Sequence, residues 1–277
     1  MTTDTAGRRT IHWEDIRLPA WVTGVIGGVA IVALWWILAS AFGRGPGTTI
    51  LVPTPFEVIL AFGDAGWDYF LRNFSVTLLE SGIGYLWGNG LALALAALVL
   101  IVPRLEGVAT QLAILTYCVP IIAIGVLAVV LIKPPAQTGD PAGTAVLLAA
   151  LSVFFTTVVG ALLGLKSADR SSLDLIAVYG GSKLTQLYKV RLIAALPAIL
   201  NALQIAVPAA FLGAVLGEFF GKIEAGVGLA MTLAMQNSDA PLVWALALSS
   251  GAVALLGFGL LGLVSRAIAP WSKGSAR

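Results

Sequence analysis

Six apolar runs dominate this chain: about Trp21–Phe42, Val76–Val102, Val108–Ile132, Ala142–Leu165, Ala198–Phe220 and Val243–Ile268. A hydrocarbon layer roughly 30 Å thick needs about 20 residues at 1.5 Å each, and every run meets that length. In lipid the backbone must bond to itself, so runs of this kind are helices. Composition agrees. Only 11 % of the 277 residues are charged and 58 % are apolar, whereas soluble domains carry about 25 % charge. Too few charges remain to solvate a water-soluble globule. The expected fold is all-α and integral to a membrane, with six transmembrane helices. Pro120 sits inside the third run and is expected to kink it.

The first run is expected to be a retained span. It exceeds the core of a cleaved leader, and no A-x-A-like site follows closely. Residues 1–20 then form a cytoplasmic N-terminal segment, and 21–277 form one transmembrane domain.

Lysines and arginines set the orientation, because cytoplasmic loops are enriched in them. With the N-terminus inside, the inner segments hold Arg8, Arg9, Arg17, Arg104, Lys166, Arg170, Lys183, Lys189, Arg191, Arg266, Lys273 and Arg277. The outer segments hold only Arg44, Arg72, Lys133 and Lys222. This 12-to-4 split accounts for all 16 and favours six spans with both termini cytoplasmic. The outer loops are expected to be Gly/Pro-rich after Gly43 and solvated from Lys133 to Pro141. A short helix should cover Phe56–Gly63, with Thr54 as N-cap and Pro55 at its first position.

Several chemistries are disfavoured. The net charge of +2 and the lack of a long basic tract give no footing for nucleic acid. His12 and Cys118 are the only residues of their types, so neither a metal site nor an intrachain disulfide is expected. Cys118 reads as a small buried core residue. No Gly-x-x-x-x-Gly-Lys-Ser/Thr loop occurs, so the chain carries no such nucleotide site and no catalytic residue is assigned. Two acids, Glu80 and Glu218, fall toward the outer ends of their spans and are expected to reach water there. Gly82, Gly84, Gly88 and Gly90 are expected to let helices approach closely.

The longest polar-rich internal segment runs from Lys166 to Arg191. A hydroxyl-capped helix is expected from Ser171 to Tyr179, with Leu173, Ile176 and Ala177 on one face. Gly180-Gly181 should end it through positive φ. Ser182 should cap a second short helix, Lys183–Ile193. The result is an L-shaped protrusion suited to a groove on another protein. A loop lying on the membrane surface satisfies the same pattern.

Asp174-Leu-Ile-Ala-Val-Tyr-Gly180, then Val190-Arg-Leu192 and Leu196-Pro197, resembles the E-A-A-x-x-x-G…I-x-L-P signature of ABC importer permeases. Asp174 replaces Glu, and Ile193 stands where that signature has proline. Leu51-Val-Pro-Thr-Pro-Phe-Glu-Val-Ile-Leu60 is similar to the L-P-S-P-x-E-V-L segment of the nitrate/sulfonate/taurine-type branch. Gly217-Glu218 followed by Gly226-Val-Gly-Leu229 resembles its A-E…G-L-G-x-L run. The third span departs from the branch, reading Tyr117-Cys-Val-Pro-Ile-Ile-Ala-Ile-Gly without the usual Trp-Phe-Gly.

This resemblance implies a type I importer permease of the bacterial inner membrane, with residues 166–195 as the segment that couples to the ATPase. Asp174, Leu175, Ile176, Gly180, Gly181, Ser182, Val190, Leu192 and Pro197 would meet the ATPase. Tyr117, Pro120, Gln204, Phe211 and Glu218 would belong to the path or its gate, although packing explains Tyr117, Gln204 and Phe211 equally simply. The implied partners are two ATP-binding subunits that hold ATP and Mg, a second permease chain, identical or different, and an extracytoplasmic solute-binding protein. This chain itself would bind no cofactor. The alternatives are an ion-coupled secondary transporter, which would show repeats and a midplane acid pair, and a membrane scaffold without transport.

Overall fold

The computed structural model describes residues 19–45, 50–137, 139–221 and 223–271. The expected N-terminal segment, with Arg8, Arg9, His12 and Arg17, lies outside the described residues apart from its last two positions, as do Lys222, Lys273 and Arg277. Eleven helices follow in order among the described residues: α1 Ala20–Phe42, α2 Pro55–Ala65, α3 Trp67–Ile101, α4 Glu106–Cys118, α5 Ile121–Leu131, α6 Gly143–Lys166, α7 Arg170–Val178, α8 Lys183–Gln186, α9 Leu192–Phe220, α10 Val227–Gln236 and α11 Ala240–Ile268.

Five uninterrupted stretches are long and apolar enough to span a membrane: α1, α3, α6, α8 through α9, and α11. The third expected run is a bent pair of shorter helices rather than one span-length helix. The helix that ends at Cys118 and α5 are bent 87° apart at Val119-Pro120. Pro120 lacks the N–H that would continue α4, and the residue before a proline is pushed to extended backbone; Val119 has ψ 125°. The expected kink is therefore a full break.

The second span begins earlier than its apolar run, at Trp67, because polar residues such as Asn73 and Thr77 are buried inside the bundle. The short helix after the first span is present as α2. Its Thr54 accepts from the Glu57 N–H, and Glu57 accepts from the Thr54 N–H at 2.7 Å, a reciprocal capping box with Pro55 following.

Helices α3, α6 and α9 form the centre. Lipid supplies no hydrophobic force between helices, so small residues that admit close backbone contact carry the packing. Gly84 and Gly88 of α3 abut Val146, Ala149, Ala150 and Val153 of α6. Gly213 and Gly217 of α9 abut Ala145, Leu148 and Ala149. Gly82 and Gly90 face open space and take no part. α1 lies at the margin, held by Trp35, which stacks on Trp244 at 5.2 Å and donates from Nε1 to the Pro53 carbonyl at 3.0 Å.

Cys118 is exposed at the end of α4, not buried as expected. An apolar neighbourhood marks lipid-facing surface as readily as core.

Candidate functional site

Two assemblies of polar or exposed residues stand out, near opposite ends of one long helix. The first is the corner formed by α7 and α8. Asp169, not Ser171, is the N-cap of α7; its carboxylate accepts from the Ser172 N–H at 3.4 Å and from the Ser171 hydroxyl. The Ser171 hydrogen bond holds the Asp169 carboxyl below its ordinary range, opposed in part by desolvation. The cap is therefore complete at neutral pH and is lost as pH falls through that lowered value.

The α7 helix closes at Gly180, whose φ is +76°, a conformation glycine adopts without penalty. The Gly181 N–H returns to the Ile176 carbonyl at 2.8 Å. A Cβ on Gly181 would stand 2.4 Å from Ile176 Cγ2, so this turn admits little else. Ser182 caps α8 by accepting from Thr185 N–H, and Gln186 Nε2 donates to the Leu173 carbonyl at 3.0 Å, binding the two helices together.

The second expected helix does not end at Ile193. α8 continues through a π-helical turn, Leu187–Arg191, into α9, giving one helix from Lys183 to Phe220. Ile193 supplies the N–H that a proline would have removed, so nothing stops the helix there. Val190 lies in the π turn, Leu192 begins α9, and Pro197 lies inside it. On α7, Leu173 and Ile176 are half-buried while Asp174, Leu175 and Ala177 are exposed. Val178 and Tyr179 are 83 % and 84 % exposed at the corner, with Leu184 also exposed.

The second assembly is a buried polar cluster. Glu80 of α3 and Glu218 of α9 are 0 % and 1 % exposed, so neither reaches water as expected. Glu218 Oε1 accepts from the Thr77 hydroxyl at 2.6 Å, and its Oε2 accepts from the Gly228 N–H. The Thr77 oxygen accepts in turn from the Val227 N–H at 2.9 Å, and Asn73 Oδ1 accepts from the Gly226 N–H at 3.1 Å. Glu80 Oε1 accepts from the Ala142 N–H at 2.7 Å. Thr77, which holds Glu218, and Glu80 lie one turn apart on the same face of α3. Gly226, with φ +144°, fits because a Cβ there would lie 2.6 Å from the Glu218 carboxyl carbon.

The other residues expected in the path are scattered. Phe211 is buried and stacks with Phe74 at 6.2 Å. Gln204 Nε2 donates to the Phe258 carbonyl of α11 at 3.2 Å. Tyr117 is 70 % exposed with its ring stacked on Phe155 at 4.5 Å, and Pro120 is exposed at the break. Sequence reasoning missed Asn73, Thr77, Asn89 and Thr157. A signal existed: 73, 77, 80, 84 and 88 are polar or glycine at three- and four-residue spacing, one stripe of a helix.

Asn89 and Thr157 form a buried clasp between α3 and α6. Removing one partner strands the other, so Asn89→Ala is expected to cost about 1 kcal/mol. Asn89→Leu combined with Thr157→Val should restore much of the loss in thermal unfolding of the detergent-solubilised chain.

The sequence pattern of the family described as "Binding-protein-dependent transport system inner membrane component" matches residues 88–270, well over half of the chain. The chain belongs to this family. Three curated relatives agree. The formylaminopyrimidine transport permease protein ThiX of Halalkalibacterium halodurans is 27 % identical over 88 % of this chain and 93 % of its own length. A probable ABC transporter permease protein of Haemophilus influenzae is 29 % identical over 78 % of this chain and 84 % of its own. The putative aliphatic sulfonates transport permease protein SsuC of Bacillus subtilis is 26 % identical over 91 % and 88 %.

This permease is thus the transmembrane subunit of an ABC importer. It is a multi-pass inner-membrane protein of a family that works with ATPase and substrate-binding components. An ion-coupled secondary transporter is not favoured by these matches.

Proposed function

We propose that the α7–α8 corner is the surface through which this permease takes up the work of ATP hydrolysis. The observation that carries this reading is the exposure of Leu175, Val178, Tyr179 and Leu184 on a short, internally braced corner at the start of the Lys183–Phe220 helix. Large apolar side chains on a rigid corner suit a groove in a folded partner. Asp174, Ile176, Gly180, Gly181 and Ser182 shape that corner, and Val190, Leu192 and Pro197 carry its movement into α9.

In this reading both termini are cytoplasmic, as the lysine and arginine balance supports. Two ATP-binding subunits hold ATP and Mg. This chain binds no cofactor and performs no catalysis. A second permease chain, identical or different, completes the path, and an extracytoplasmic binding protein delivers the solute. Residues 21–277 act as one domain, coupled through 166–195. Tyr117, Pro120, Gln204, Phe211 and Glu218 contribute to the path or gate once the two permease chains and the ATPases are assembled. The relatives are named for a formylaminopyrimidine and for aliphatic sulfonates, and a small polar organic solute of that size class is the cargo we assign.

Purification through a C-terminal tag, with the neighbouring genes co-expressed, tests the assembly. The expected result is one ATPase chain per permease, lost when Asp174–Gly180 is deleted. The same gel separates a homodimer from a heterodimer of permeases. A folded permease that brings down no ATPase would sink the reading.

A further inference from the structure

The buried acid pair carries an inference beyond transport and independent of membrane orientation. Among the described residues, Glu80 and Glu218 are the only charged side chains that are buried. Glu80 lies one turn beyond Thr77 on the same face of α3, and Thr77 holds the Glu218 carboxyl, so both acids meet at that face. The groups that face them are the Thr77 hydroxyl on α3 and the backbone N–H groups of Ala142, before α6, and Gly228, in α10. No lysine, arginine or histidine is among these partners.

The donors do not cover the acceptors. Glu218 receives one donor on each oxygen, and Glu80 receives one on Oε1. Glu80 Oε2 is buried and meets no N–H or O–H. A buried oxygen left without a donor is costly, and two adjacent anions out of water repel each other strongly. One hydrogen removes both faults. Placed between the carboxyl groups, it turns an anion pair into an acid–carboxylate hydrogen bond, which is short and strong. Two carboxyl groups that share one buried site commonly hold one proton between them.

We propose that Glu80 and Glu218 hold a single proton between them, and that this proton closes a clamp joining α3, the entry to α6, the end of α9 and the Gly226–Gly228 turn. The four segments meet at this pair and are far apart in sequence. Thr77 and Asn73 extend the clamp by binding the Val227 and Gly226 N–H groups. Loss of the proton places two negative charges together, and the turn before α10 is then released.

Glutamine distinguishes a shared proton from simple packing. Glu80→Gln keeps the shape, accepts from Ala142 N–H and presents a permanent N–H to Glu218. Glu80→Ala provides neither. The full chain in detergent is expected to show an infrared carbonyl stretch of a protonated, slowly exchanging carboxylic acid, absent in Glu80→Gln. Glu80→Gln should unfold within a degree or two of the parent at neutral pH, and Glu80→Ala roughly 5 °C lower. Alkaline solution should lower the parent's midpoint and leave that of Glu80→Gln unmoved. Absence of the acid band in the parent, or Glu80→Gln as unstable as Glu80→Ala, would overturn the proposal. So would an equal alkaline loss in both proteins.

Discussion

Gly88→Leu is expected to abolish the folded bundle, while Gly90→Leu, two residues along the same helix, leaves it intact. A Cβ at position 88 would lie 2.3 Å from the Ala150 carbonyl oxygen and 2.4 Å from Val153 Cγ2. The first of these neighbours is backbone within α6 and cannot rotate aside. Overpacking of a core costs about 1–3 kcal/mol when side chains can yield. Here two central helices would have to separate, so the loss should exceed that range and reach the whole margin of stability. Position 90 faces open space, and leucine there meets only what surrounds the helix. Size-exclusion chromatography of fluorescently tagged variants reads the outcome: a monodisperse peak for Gly90→Leu and aggregate for Gly88→Leu. Two equal peaks would mean that α3 and α6 are not in the contact described.

The second large effect concerns assembly rather than folding. Replacing Leu175, Val178 and Tyr179 together by aspartate should leave the bundle monodisperse, because all three are exposed and none supports α7 from within. Buried aromatic and aliphatic anchors each contribute about 2 kcal/mol or more at an interface. Loss of one such anchor is roughly thirtyfold in affinity, so loss of the set should lower ATPase co-purification by well over that factor. ATP-dependent uptake should fall in parallel. Retained ATPase binding would show that the motor contacts another surface.

What sequence reveals here follows from the range of each interaction. The Thr54–Glu57 capping box and the positive φ of Gly180 depend on residues within a few positions, and both were legible. The five uninterrupted membrane-length helices were legible because length and apolarity are properties of a single run. The break at Pro120 was foreseen as a kink; its 87° required the extended conformation of Val119 as well. Glu80 and Glu218 lie far apart in the chain, and only the packing of α3 against α9 brings them together. Read singly, each looked like an acid near water. Cys118 fails for a related reason: a run of apolar residues records avoidance of water, not whether protein or lipid replaces it. The capping of α7 shifted by two residues because Asp169 and Ser171 are both competent caps, and the chain used the earlier one.

The helix from Lys183 to Phe220 has a mechanical consequence. Its 38 residues make a strut of about 57 Å at 1.5 Å per residue, longer than the hydrocarbon layer is thick. One end stands at the exposed corner beside Ser182, and the other carries Glu218. A tilt of one degree about the near end displaces the far end by about 1 Å, a large fraction of a hydrogen bond's tolerance. Displacements of the size that helices make when subunits shift against one another would thus be felt at the acid pair without any chain of intermediate contacts. The π turn and the two prolines, Pro197 and Pro208, mark where this strut can flex, and stiffening them would set how faithfully one face of the membrane reports to the other.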